Sequence, residues 1–270
     1  MRILVQPGPV HPRRIDSFAA NPRHLTFPVQ PGATLLEGIT APLAGFQAAT
    51  LTFRGADVSP FRYVIPARAA DPSHVAYFSG PRAPSGLTRI ERANATFGFR
   101  DGAPYLHCHA VWIEPDGQRR GGHILIEETV LASEAMVEAW GFETLRIDTA
   151  FDAETNFTLF QPSGTTTPGA SGILARVRPN EDIVTAIETI AVTHGMPDAD
   201  IVGSLGSLVG TRFTDDDATE VLVIGGTVRD GRATIDVASV DMSGAVHEGR
   251  LTRGENPVCI TFDLVLIAVS

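Results

Sequence analysis

From residue 90 to residue 132 apolar and polar positions alternate with a period of two, the spacing of half-buried strands. The alternation is interrupted by Pro115-Asp116-Gly117. Pro presets φ there and Gly accepts a left-handed backbone, so segments 104–113 and 122–132 read as the arms of a hairpin. Similar alternation marks 23–27, 48–54, 61–66, 73–79, 90–99, 142–149 and 156–160 as strands. One amphipathic helix, 33–45, opens at Pro31-Gly32-Ala33-Thr34 and carries Leu35, Leu36, Ile39 and Leu43 on one side. Residues 1–22 are rich in Pro and Arg and read as an extended arm that packs on the core, from which His11 or Arg13 could reach a site.

The stretch 161–172, Gln-Pro-Ser-Gly-Thr-Thr-Thr-Pro-Gly-Ala-Ser-Gly, is small, polar and turn-rich, the composition of a linker. Beyond it the order of elements repeats. A strand at 173–178 leads into a helix over 181–194 lined by Ile183, Ile187 and Ile190, and strands follow near 199–205, 219–228, 232–240, 246–253 and 258–269. Pro31-Gly32-Ala33-Thr34 corresponds to Pro179-Asn180-Glu181-Asp182, so the chain reads as a tandem duplication with domains 23–160 and 173–270. The glycine-rich run Gly203–Gly210 does not clearly open a helix and reads as a structural turn.

Three of the eight histidines fall within residues 107–123. His107 and His109 are two apart, so on a strand they share a face. Pairing about Asp116 puts 109 opposite 123 on that face, unless a bulge at Gly121-Gly122 shifts the register by one. Three imidazoles at one spot are what a divalent metal with an open coordination position needs; the alternative is a hydrogen-bonded cluster without metal. Cys108 points to the other face and reads as core. In the second half, aligning Gly244 with Gly117 places Thr234, Asp236 and Arg250 at the positions of His107, His109 and His123. That copy lacks the donors, so the chemistry is assigned to the first half, and packing or substrate-shaping to the second.

Composition narrows the functions. The 270 residues are 43% hydrophobic with a mean hydropathy of +0.08, enough to bury a core in each half. No apolar run reaches the length of a membrane span, the apolar start is too short for a secretory signal, and two cysteines make no disulfide framework. A cytoplasmic protein without a membrane partner is therefore expected. All basic residues are arginine, which excludes lysine Schiff-base chemistry and a P-loop. A net charge of −10 argues against general affinity for nucleic acid.

The run Leu106-His107-Cys108-His109, then Asp116-Gly117 and Gly121-Gly122-His123-Ile124, followed by Arg146-Ile147-Asp148, resembles the plant and prokaryote conserved (PPC, or PCC) domain. The resemblance covers about 23–160 and more weakly 173–269. It implies an α+β fold in which each copy is an antiparallel, barrel-like β-sheet with one main helix, commonly assembled as trimers. It further implies a fold similar to that of α-acetolactate decarboxylase, with His107, His109 and His123 as ligands of a divalent metal, zinc first. No Arg-Gly-Arg-Pro core is present for a DNA-contacting hook. Expectations rank as a metal-dependent lyase or hydrolase acting on a small carbonyl or carboxylate compound, then a non-catalytic scaffold with metal near a subunit interface, then DNA binding. For an enzyme, Glu127 or Glu128 could serve as acid or base and Arg54, Arg62, Arg92 or Arg146 as carboxylate clamp, with Arg54 foremost.

Overall fold

The computed structural model describes residues 3–211 and 219–269, which form mostly antiparallel sheet with two short helices. In chain order the first part holds β1 (Ile15–Ala20), β2 (Arg23–Val29), α1 (Leu35–Thr40), β3 (Ala48–Phe53), β4 (Ala56–Val58), β5 (Tyr63–Val64), β6 (Pro66–Ala67), β7 (Tyr77–Phe78), β8 (Thr88–Arg100), β9 (Ala103–Ile113), β10 (Arg119–Ile124), β11 (Ala135–Phe142), β12 (Arg146–Asp152) and β13 (Phe157–Ser163). The remainder holds β14 (Gly172–Val177), α2 (Ile183–Thr193), β15 (Ala199–Ile201), β16 (Leu205–Leu208), β17 (Thr219–Arg229), β18 (Arg232–Val240), β19 (Val246–Arg250) and β20 (Val258–Ala268).

One sheet runs β2-β11-β3-β8-β9-β10-β5, and the other β1-β14-β20-β15-β17-β18-β19. From β2 to β10 and from β14 to β19 the two orders correspond strand for strand. Among the described residues the pairing closes neither sheet into a barrel, so the expected barrel-like curl stops at open sheets.

Each helix buries the stripe that the spacing predicts. Leu35, Ile39 and Leu43 pack with Phe53, Ile90 and Val137 in one core; Ile183, Ile187 and Ile190 pack with Val221, Ile235 and Leu264 in another. α1 is shorter than the expected 33–45. Pro42 lacks an N–H, and the chain continues past Thr40 as a 3-10 turn over Ala41–Leu43. Its start is held by a capping box between Thr34 and Glu37. Two smaller clusters bind the halves together, one joining Phe142, Leu145 and Ile147 to Leu174, Val265 and Ile267, the other joining Val111 to Leu205, Leu222 and Ala238.

Other expectations shift. The amino-terminal arm contributes β1, which pairs along its whole length with β14, so residues 15–20 belong to the second sheet. The first three residues of the expected linker extend β13. Of 73–79 only Tyr77–Phe78 is strand. Strand 122–132 runs instead over Arg119–Ile124, and residues 126–128 turn. Gly203–Gly210 contains β16, wedged between β17 and β20.

Candidate metal centre

The β9–β10 hairpin pairs Ile113 with Arg119 and His109 with His123, with no shift at the two glycines. Both glycines are there for close approach. A Cβ on Gly121 would come within 2.6 Å of Val240 Cγ2, and one on Gly122 (φ +152°) within 2.4 Å of the Val64 carbonyl. The hairpin is thereby pressed between β5 and the second half's β18–β19 hairpin, with His107, His109 and His123 on one face. One ring nitrogen from each lies within 4.8 Å of the other two. Cys108, on the opposite face, is core, as its parity requires.

The hydrogen bonds fix two tautomers. His109 Nδ1 lies 3.0 Å from the Val221 carbonyl, which can only accept, so Nδ1 carries the proton and Nε2 a lone pair. His107 Nδ1 lies 2.9 Å from Asp263 Oδ2, an acceptor, so its Nδ1–H donates likewise. The two Nε2 atoms then face each other at 3.1 Å. Two lone pairs at that distance repel unless a proton or metal ion sits between them. Nitrogens bound at 2.0–2.1 Å to one tetrahedral ion stand about 3.3 Å apart, close to the spacing here. His123 Nδ1 is sealed from solvent and has no hydrogen-bond partner among the described residues, an orphan that a cation would satisfy. The donor set therefore fits a divalent ion: three imidazoles, two of them held by outer hydrogen bonds in the arrangement metal-binding histidines adopt.

Burial keeps His109 and His123 neutral. Burial first, then the charges of His107 and His123, hold His109 well below the usual histidine range. Burial, with His107 and Arg100, pulls His123 down to about 3. Neutral imidazole is the metal-binding form.

Two cavities meet at the cluster. One, of about 90 Å³, is lined by His107, His109, Gly206, Ser207 and Glu220, with Tyr77, Phe78 and Phe157 as an aromatic wall. The other, of about 290 Å³, is lined by His107, His123, Asp263, Tyr105 and Arg100. Glu220 is 5% exposed, neither carboxylate oxygen has a hydrogen-bond partner among the described residues, and burial pushes its pKa up to about 8. The Arg100 guanidinium lies 3.4 Å from the Tyr105 ring centroid and has no carboxylate partner among the described residues. Sequence spacing pointed to neither. Glu220 is nearly a hundred positions from the hairpin, and Arg100 looks like any charge at a strand end.

The other candidates lie elsewhere. Glu127 and Glu128 were expected to alternate along a strand, but the strand ends at Ile124 and both are exposed on the turn beyond it. Glu128 sits 3.9 Å from Arg62. The charge of Glu127 is felt at Tyr105, yet its side chain lines neither cavity. Arg146 is bound by Asp148 at 2.6 Å, and Arg54 and Arg92 line a separate crevice. His11 and Arg13 hydrogen-bond to each other within the arm. In the second half Asp236 and Arg250 pair across β18–β19 as His109 and His123 do across β9–β10, and form a two-pronged ion pair of 2.9 Å contacts.

No protein-family model matches the chain, and no curated protein does. Among solved structures it is similar to a metal-containing protein from Archaeoglobus fulgidus, with 19% identity and a TM-score of 0.43 over 53% of this chain and 96% of that one. It is also similar to a plant- and prokaryote-conserved (PPC) protein from Pyrococcus horikoshii, with 16% identity and a TM-score of 0.40 over 51% and 91%. Likeness at this level carries no functional argument. Among the described residues no helix is long and apolar enough to cross a membrane.

Proposed function

We propose that this chain is a tandem PPC-like protein holding a divalent ion, zinc first, on His107, His109 and His123, and that it is an enzyme of lyase or hydrolase type acting on a small carboxylate or carbonyl compound. The observation that carries the reading is the pair of Nε2 lone pairs facing each other at 3.1 Å, each fixed by an acceptor behind its ring. Lewis-acid polarisation of a carbonyl, or activation of water, is the chemistry such an ion supplies.

The chain's own groups supply the rest. Arg100, stacked on Tyr105 without a carboxylate partner among the described residues, lines the larger cavity and would anchor a substrate carboxylate. Glu220, holding its proton near neutral pH, would give or take a proton across the smaller cavity. Tyr77, Phe78 and Phe157 would keep water from the reacting groups. The second half would thus serve the site through Asp263, Val221 and Glu220 while lacking donors of its own.

A second reading, a structural ion that staples the halves together, draws on the same Asp263 and Val221 contacts, since both cross from one half to the other. Elemental analysis of purified protein tests the shared premise. Wild type and His194→Ala are expected to carry one equivalent of metal and His109→Ala none; equal content in His109→Ala and wild type overturns it. Arg100→Gln separates the readings. In an enzyme it retains metal and stability and loses binding of small carboxylates, whereas a staple gives wild type no such binding to lose.

A further inference from the structure

A third crevice, of about 170 Å³, shares no lining residue with the two cavities at the histidines. Arg54, just past β3, and Arg92 of β8 project onto it, with Thr52, Trp140 and Gly225 among its walls. Arg92 is held in place by neutral acceptors alone. Its Nε–H donates to Asn94 Oδ1 at 3.2 Å and its Nη1–H to the Ile224 carbonyl at 2.8 Å. Arg54 makes no hydrogen bond or ion pair among the described residues. The one carboxylate in the wall, Glu138, already accepts from His24 at 2.9 Å.

Two guanidiniums therefore share a crevice with a single carboxylate, Glu138, and neither forms an ion pair with it, in a chain whose acidic residues outnumber its basic ones by 31 to 21. Most other described arginines sit against a carboxylate. The crowding has a cost: burial, and then the charge of Arg54, lowers the Arg92 pKa to about 10. An arginine gives up its proton so reluctantly that what is missing is better described as a counter-charge. With Glu138 turned to His24, a bound group must accept from two separate guanidinium forks, and a phosphoryl group has the three acceptor oxygens to do so where a single carboxylate has two. Gly225 leaves the floor open: a Cβ there would meet nothing closer than Asp236 Oδ2 at 3.8 Å.

We propose that the crevice between Arg54 and Arg92 binds a phosphoryl group, free or carried as a monoester, through both guanidiniums. Titration of metal-stripped, full-length protein with inorganic phosphate, and separately with phenyl phosphate, tests this by calorimetry at low salt. One site is expected, unchanged in His109→Ala and weakened about tenfold or more in Arg54→Gln, the removal of one of two charge-assisted contacts. Arg54 is exposed, so its variant tests the site without disturbing the fold; Arg92→Gln should weaken binding further. Tighter binding of phenyl phosphate would assign the natural ligand to the monoesters, through the Trp140 wall. Equal phosphate affinity in wild type and Arg54→Gln, loss of binding in His109→Ala, or no binding to wild type at millimolar phosphate would each overturn the proposal.

Discussion

His107 and His109 matter through what stands behind them. Asp263 accepts the Nδ1 proton of His107 and orients its ring, so Asp263→Asn is expected to weaken metal affinity by about 10- to 100-fold while leaving the fold intact, measured by competition with a chromophoric chelator. The buried titratable groups also make opposite contributions to stability in the metal-free protein. His109 and His123 are neutral in the fold. Below about pH 6.5 the unfolded chain binds the protons they refuse, and stability falls with falling pH. Glu220 does the reverse. Its pKa is raised from 4.5 to about 8, so the folded chain keeps a proton that the unfolded chain has released, and stability is lost as pH rises through that window. Between about pH 7 and 8 the two histidines add little and Glu220 dominates. Wild type is expected to lose somewhat under about 1 kcal/mol across this span and Glu220→Gln to hold steady or gain slightly, read from urea midpoints at each pH. A wild-type curve as flat as that of the variant would show that the carboxyl is not buried alone. At this scale the clustering of the three histidines was legible, because parity on a strand decides which side chains share a face. Their supports were not: Asp263 is 156 positions from His107, and no local pattern encodes that distance.

The hairpin is the element that sequence described best. Pro115-Asp116-Gly117 set its turn, and the turn set the register that brings 109 to 123. The Gly121-Gly122 pair signalled a bulge and proved instead to be a thinning of the strand where two neighbours press on it. A methyl group at 122 meets backbone, which cannot swing aside as a side chain can. Gly122→Ala is therefore expected to destabilise by about 2 kcal/mol or more and to lower metal occupancy with it, measured by thermal unfolding and elemental analysis of the same sample. The capping box on α1 gives a contrasting case: Thr34→Ala should cost about 1 kcal/mol and leave metal content unchanged, since the helix packs on the sheet without touching the histidines. The strand expected to carry Glu127 and Glu128 ends early at this scale. Apolar alternation continued past Ile124, but the Leu125 N–H still reaches the neighbouring segment, at the Arg62 carbonyl, and the Glu128 N–H then folds back onto the Leu125 carbonyl as a turn.

For the whole molecule, the halves are joined by charge as well as by apolar contact. Asp152, at the end of β12, accepts from both Arg176 and Arg178 of the second half at 2.6 Å; all three are buried, and Arg178 also reaches Asp16 of β1 at 2.9 Å. Removing the shared carboxylate strands two guanidiniums away from water, so Asp152→Ala is expected to destabilise by about 3–5 kcal/mol. If the halves unfold as one unit, guanidinium chloride curves followed by fluorescence and by circular dichroism should move together in that variant. The sequence by itself determined most of the strands, the two helices and the shared face of three histidines, because periodicity and turn chemistry act over a few residues. Only the tertiary structure decided that β1 crosses to the far sheet, that Asp263 and Val221 stand behind His107 and His109, and that Glu220, Arg100 and the Arg54–Arg92 crevice lie where they do. Those placements follow from how two sheets bury their apolar faces against each other, a global packing condition that no stretch of the chain carries alone.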